Sequence, residues 1–256
     1  MLVEAQADWP TLELVRRSGR SNASDDELGP DRASIRLVGG GEVVVERSPA
    51  RATYTTPREL TDEELIHPYL APAAALAARW LARESFHGGA FATEKGVWVI
   101  AGEKAVGKSS TLAWLAARGI PVVADDVVVL DDERVFVGPR SIDLREETAQ
   151  MLGVGEPIGV AGERERWRIR LEPVAPELPP AGWIFPTWST GEVQVAPIAP
   201  AERLLRLAQS RVLGVVTERP DLLLKLAALP AWEFRRPAGW DGFERALGSL
   251  LDSVDP

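Results

Sequence analysis

Apolar and polar positions along the first third of the chain alternate in short runs. Ser34-Ile35-Arg36-Leu37-Val38 and Glu42-Val43-Val44-Val45-Glu46 flank Gly39-Gly40-Gly41, a pattern that predicts a β-hairpin. The polar stretch Ser18 to Asp31 reads as a loop. Thr61-Asp62-Glu63-Glu64 has capping-box spacing, and a helix is expected from about Pro72 to Arg83. Val97-Trp98-Val99-Ile100-Ala101 is a continuous apolar run bounded by turn residues, the pattern of a buried strand. A helix pattern over Ser109 to Arg118 stops at Gly119, and Pro121-Val122-Val123-Ala124 is a second strand that ends on Asp125-Asp126. Val127–Leu130 and Val135–Val137 flank a polar tetrapeptide and predict another hairpin. Beyond these, Trp167–Leu171 and Val193–Val195 alternate. Helices are expected over Ala201–Ser210, Asp221–Leu229 and Asp241–Leu251, the last capped by Asp241. The prolines between Pro173 and Pro180 mark either a linker or a surface loop.

Composition narrows the function classes. The chain of 256 residues is 45% apolar and 26% charged, which suits a globular protein with a sizeable core. Its net charge of -9, with arginines scattered, leaves no basic footprint for nucleic acid. The absence of cysteine removes disulfides, thiolate catalysis and cysteine-ligated zinc. Only His67 and His87 are present, too few for a three-histidine metal site. Met1-Leu2-Val3-Glu4 lacks the start of a signal peptide, and the apolar stretch Tyr69 to Leu81 is too short to span a bilayer. A cytoplasmic location without membrane contact is the expectation.

The chemistry is concentrated in the middle. Gly102-Glu103-Lys104-Ala105-Val106-Gly107-Lys108-Ser109, followed by Ser110, matches the phosphate-loop pattern G-x-x-x-x-G-K-[ST] in full. The glycines let successive backbone N–H groups turn toward phosphate oxygens, and the following helix adds its positive dipole end. Lys108 is then placed for the terminal phosphates of ATP, and the Ser109 hydroxyl for Mg²⁺. Three of the chain's four lysines, Lys95, Lys104 and Lys108, fall here in a protein that otherwise uses arginine. A compact ammonium suits a phosphate. Asp125-Asp126 follows Lys108 by 17 residues at a strand's carboxyl end. In a parallel sheet that edge also carries the phosphate loop, so one acid is expected to hold Mg²⁺ and the other to take an attacking hydroxyl's proton.

Three segments together resemble the catalytic domain of bacterial HPr kinase/phosphorylase: His87-Gly88, the 102–110 loop, and Gly119-Ile120-Pro121-Val122-Val123-Ala124-Asp125-Asp126. The likeness is closer to its smaller HPr-kinase-like relatives encoded with ribosomal peptide pathways such as lasso peptides. It implies an α/β fold with the phosphate-loop core shared with phosphoenolpyruvate carboxykinase. That core would be a mixed sheet with a β-rich amino-terminal part (1–66) packed on a kinase domain (67–256) that ends in an α+β part. It further implies ATP and Mg²⁺ as cofactors and a serine of a peptide or small protein as acceptor, with a homo-oligomer left open. On that resemblance His87 supports the aspartates, Asp125 matches the general base, and Asp126 its metal- or histidine-side neighbour. Arg140 or Arg145 are candidates to face the phosphates. The chain departs from the family at Lys104-Ala105, where Ser-Gly is usual. No carboxyl-terminal signature tied to phosphorolysis is found, and residues 1–66 do not look like the regulatory domain. Phosphorolysis, a hexamer and HPr as substrate therefore do not follow. A small-molecule kinase and a nucleotide-binding module without transfer activity are the other readings.

Overall fold

A computed structural model describes residues 9–21, 25–214 and 219–255; the amino-terminal tetrapeptide named above lies outside them. Five strands come first: β1 (Glu13–Ser18), β2 (Glu27–Leu28), β3 (Arg32–Arg36), β4 (Glu42–Glu46) and β5 (Arg51–Thr56). They form one sheet in the order β1-β5-β4-β3-β2, antiparallel except for the parallel pair β1·β5. The predicted hairpin is β3·β4, with Arg36 opposite Glu42. The stretch read as a loop contributes the short strand β2, which pairs with β3.

The capping box forms as its spacing predicts. Thr61 Oγ1 accepts the Glu64 N–H (3.2 Å), and the Thr61 N–H donates to Glu64 Oε2 (3.1 Å), opening the short helix α1 (Asp62–Glu64). One further turn leads into α2 (Leu70–Trp80). The helix ends earlier than its pattern predicts because Ala82 adopts a left-handed φ of 57° and turns the chain into the next strand. One face of α2, through Ala73 and Leu76, packs on the apolar side of the five-stranded sheet with Val43, Val45 and Tyr54.

The central sheet is built from β6 (Glu84–Thr93), β7 (Gly96–Ala101), β8 (Val122–Ala124), β9 (Val127–Leu130), β10 (Val135–Phe136), β14 (Glu177–Leu178), β15 (Pro180–Ser189), β16 (Gln194–Pro197) and β17 (Ala231–Pro237). Between β10 and β14 the strands β11 (Ser141–Leu144), β12 (Glu156–Ala161) and β13 (Arg164–Arg170) form a separate antiparallel sheet. The main sheet runs β14-β10-β9-β6-β7-β15-β17-β16, with β8 paired to β6. It is mixed: β7·β15 and β15·β17 are parallel, whereas β6 is antiparallel to β7, β8 and β9. The proline stretch 173–180 is no linker, since β14 pairs with β10 and Pro180 opens β15.

Helices α3 (Lys108–Ala116) and α7 (Phe243–Val254) cover one face of this sheet, and α5 (Pro200–Ser210) and α6 (Pro220–Ala228) cover the other, with α4 (Glu146–Leu152) beside α3. Strand β7 explains its own apolar run: Val97, Val99 and Ala101 point into one core, Trp98 and Ile100 into the other. The expected Asp241 cap is not used. Helix α7 starts at Phe243 through Gly242 in a left-handed conformation (φ 72°), with no side-chain cap. Edge-to-face packing of Trp240 on Phe243, 5.0 Å between centroids, fixes that entry instead.

The three-stranded sheet and α1 are joined by a buried charge cluster. Arg168 on β13 donates two hydrogen bonds to Asp143 on β11 (2.6 and 2.7 Å) and two to Glu63, at its carboxylate (2.5 Å) and its carbonyl (3.1 Å), with the Arg168 and Asp143 side chains 2% and 1% exposed. Removing Asp143 leaves the buried Arg168 with only the partly exposed Glu63 as a carboxylate partner. Asp143→Ala is expected to lower unfolding free energy by roughly 3–5 kcal/mol in a urea titration. A loss below about 1 kcal/mol would show that water reaches the pair.

Candidate active site

Strand β7 ends at Ala101 and hands the chain to the loop 102–107, which feeds α3. The loop needs left-handed backbone: Gly102 lies at φ 147°, Ala105 at 70° and Gly107 at 87°. Gly107 is also a close approach, because a Cβ there would stand 2.5 Å from an Arg236 guanidinium nitrogen. No side chain caps α3 and its first turn holds no acid, so its free N–H groups and dipole are open to an anion. Ala105 is the position where the resemblance expects glycine, and its left-handed φ is strained for any residue with a Cβ. Ala105→Gly is expected to raise stability by about 0.5–1 kcal/mol through relief of that strain, read from the urea midpoint. No gain, or a loss, would mean that loop packing outweighs the strain.

Lys108 is buried, and its Nζ donates to the carbonyls of Gly102 (2.9 Å) and Glu103 (2.6 Å). An ammonium has three protons, so one remains for a phosphate oxygen. Burial lowers its pKa, while the charges of Asp125 and Asp126 oppose the shift. Ser109 Oγ donates to Asp125 Oδ1 at 3.0 Å.

The two acids sit where β8 turns into β9. Because β6 lies antiparallel between β7 and β8, those two strands run the same way and their ends share one edge of the mixed sheet. Asp126 takes a left-handed φ of 71°, and the Val127 N–H donates to the Asp125 carbonyl (3.0 Å), an i→i+2 bond matching the rarer, strained form of γ-turn. That turn sends the two carboxylates different ways. Asp125 meets Ser109, whereas Asp126 meets both histidines of the chain: His87 Nδ1 lies 3.5 Å from Oδ1 and His67 Nδ1 3.7 Å from Oδ2. The acid beside Ser109 is thus Asp125, and Asp126 stands on the histidine side. Burial, reinforced by the Asp126 charge, pushes Asp125 up to about 7, against the Ser109 hydrogen bond. Burial and the Lys108 charge pull His87 below its ordinary value, so near neutral pH it is an uncharged imidazole beside Asp126.

His87 lies within β6, opposite Val127 and one strand ahead of β7. Its neighbour Gly88 is required by packing: a Cβ there would stand 2.4 Å from the Ile100 carbonyl oxygen. The paired glycines hid this strand from a pattern based on β-branched residues. His67 was not foreseen as part of the site; the available signal was that both histidines of a histidine-poor chain converge on one carboxylate.

The arginine candidates separate. Arg140 is buried and donates to the carbonyls of Val122 (2.7 Å), Val123 (3.2 Å) and Glu172 (2.5 Å), so it holds β8 in place and does not face the phosphate loop. Arg145 does line the cleft, together with Arg164, Arg166 and Lys104. Arg166 and Arg164 were missed because β13 already starts at Arg164, ahead of the alternating run that begins at Trp167. Behind the loop, Arg236 is held between Trp188 and Phe243, 4.2 and 4.8 Å from their ring centres, with burial lowering its pKa to about 10. It remains a cation at neutral pH.

Two cavities meet at the acids. A polar one of about 290 Å³ contains Lys104, Lys108, Ser109, Arg145 and Arg166; an apolar one of about 350 Å³ runs along α2 and β9. Asp125, Asp126, Asp143 and His67 line both. Among the described residues no group of three or more His, Asp or Glu side chains forms a metal cage. Mg²⁺ needs none, since it is commonly held by one or two protein oxygens together with substrate phosphates, and Ser109 Oγ in the first turn of α3 is such a hard donor. Among the described residues no helix is long and apolar enough to cross a membrane.

No protein-family model matches the chain, and no curated protein sequence matches it. Among solved structures, the Hpr(Ser) kinase/phosphatase from Coxiella burnetii matches 66% of this chain and 95% of its own, with 12% identity and a TM-score of 0.32.

Proposed function

We propose that the protein is an ATP-dependent kinase that moves the γ-phosphoryl group to a hydroxyl. The observation that carries this reading is the position of Asp125 and Asp126 at the junction of a cationic phosphate cleft and a second, apolar cavity. A donor on one side and an acceptor on the other would meet at a carboxylate whose pKa lies near neutrality, the optimum for a general base.

In this reading the loop backbone, the α3 N-terminus and Lys108 bind the β- and γ-phosphates. Arg145 and Arg166 add charge on the far wall of the cleft. Ser109 would hold Mg²⁺ beside the phosphates, and the ion neutralises phosphate charge when bound. Asp125 takes the proton of the acceptor hydroxyl, and His67 and His87 fix the neighbouring Asp126. The Asp143–Arg168 pair holds the adjoining wall rigid. The resemblance implies a peptide or protein serine as acceptor, but no described side chain selects for one.

The test is magnesium-dependent ATP binding by calorimetry, followed by release or transfer of label from γ-labelled ATP. Binding without release or transfer in any condition would favour the regulatory module instead, and no binding would remove the proposal.

A further inference from the structure

The apolar cavity has a chemistry of its own. One wall is a face of α2 made of Leu70, Ala71, Ala74, Ala77 and Leu81; the other is the face of β9 that shows Val127 and Val129, with Phe136 beside them. The buried residues Val128 and Leu130 point the opposite way, into the core. From Ala71 to Leu81 the helix rises roughly 15 Å, and from Val127 to Asp131 the strand rises roughly 13 Å. The groove therefore runs about that far from the acids. At its near end stand Asp125, Asp126 and His67. At its far end stands Arg83, whose guanidinium lies 3.7 Å over the Phe136 ring, while the acids that act on its charge, Asp131 and Glu177, are both paired with Arg134. Trp9 closes over the same ring, 5.7 Å between centroids.

A peptide is poorly served by these walls. Strand β9 is hydrogen-bonded on both edges, to β6 and β10, and offers no free ladder. The α2 backbone is occupied by its own helix. An extended peptide would carry its N–H and C=O groups into a surface that cannot pair them. An alkyl body has no such groups.

We propose that the acceptor is a small amphiphile: a hydroxyl at one end, an unbranched apolar body, and an anionic group at the other end that meets Arg83. This rests on the kinase reading above. In the step, the bond between the γ-phosphorus and its bridging oxygen breaks, a new bond forms from phosphorus to the acceptor oxygen, the hydroxyl proton passes to Asp125, and ADP leaves.

The probe is an ω-hydroxy fatty acid of about ten carbons, which spans roughly 12 Å when extended. It is compared with its methyl ester and with an apolar serine pentapeptide, using γ-labelled ATP. The free acid is expected to be phosphorylated with a KM at least about tenfold below that of the ester, since the charged contact to Arg83 is lost in the ester. Arg83→Gln should raise the KM for the acid to the ester's level and leave the ester unchanged. Ala74→Trp should abolish calorimetric binding of the acid, and Ala74→Leu, a milder filling, should weaken it, with MgATP affinity serving as the folding control. If MgATP binds and the pentapeptide is the better acceptor, or if Arg83→Gln leaves the acid's KM unaltered, the amphiphile proposal fails and the kinase reading stands. If MgATP does not bind at all, the kinase reading fails first and takes this proposal with it.

Discussion

Lys108→Ala is expected to weaken MgATP binding by about 100-fold or more and to abolish label transfer. The magnitude follows from where the ammonium sits. Lys108 is 8% exposed and holds the Gly102 and Glu103 carbonyls, so a phosphate oxygen reaching its third proton would meet a largely desolvated charge. Truncating one partner of such a contact costs about 2–5 kcal/mol, which is 30-fold to several thousandfold in affinity. The two carbonyls also lose their donor, at about 1–3 kcal/mol each if water does not replace it. Loop order should therefore fall together with binding. Lys108→Arg should not rescue, because a planar guanidinium cannot replace a compact ammonium in a loop that already closes on Arg236 behind Gly107. Calorimetry of the two variants decides it: affinity within threefold of the parent for Lys108→Ala would remove the phosphate loop from the function.

What the sequence made legible follows from what each signal encodes. The form of the 102–107 loop is local, since glycines at fixed offsets specify its left-handed backbone and the helix that follows. The Thr61–Glu64 box and the β3·β4 hairpin are local in the same sense. Long-range pairing was not legible. Strand β6 carries Gly88 and Gly89 and no β-branched residue before Thr93, so nothing in its composition announces a central strand. Its antiparallel placement between β7 and β8 makes those two strands run the same way and brings the acids to the loop. Arg140 was misread for a related reason: a buried arginine that ties strand carbonyls together looks in sequence like one that faces a phosphate. His67 and Arg166 come from segments 59 and 40 residues from Asp126, and no spacing rule links them.

Asp126 and its two histidines illustrate how the fold divides labour between adjacent identical residues. The left-handed turn at Asp126 is needed to send the second carboxylate back toward β6 and the π-turn that carries His67, while Asp125 stays against α3. Neighbouring carboxylates that pointed the same way would share one environment and one role. Splitting them leaves Asp126 next to two imidazoles and Asp125 desolvated, with its pKa raised toward neutrality.

Asp125→Asn is expected to lower transfer by about 10³-fold while keeping MgATP affinity within about tenfold, because a general base contributes roughly 10²–10⁴ and the loop contacts remain. The pH dependence gives the second signature. Transfer needs the ionised carboxylate, so in the parent protein the rate should climb with pH and level off above about 7. Besides Ser109, the groups that face Asp125 are Asp126, Lys108 and Asp143. Since the Asp126 charge raises Asp125, Asp126→Asn should move that climb to lower pH. Stability runs the other way. A carboxyl held near 7 in the folded chain, against an ordinary value of 3.8, keeps its proton after the unfolded chain has lost it. Between those two values the folded state binds more protons, so each step up in pH costs folding free energy until about pH 7, beyond which the loss is constant. Asp125→Asn removes that cost, so without Mg²⁺ it should melt higher than the parent, by a margin that widens from pH 5 to pH 8. A variant that loses transfer yet melts lower at pH 8 than the parent would mean that Asp125 is held as a stabilised anion, and the acid–base assignment of the pair would have to be exchanged.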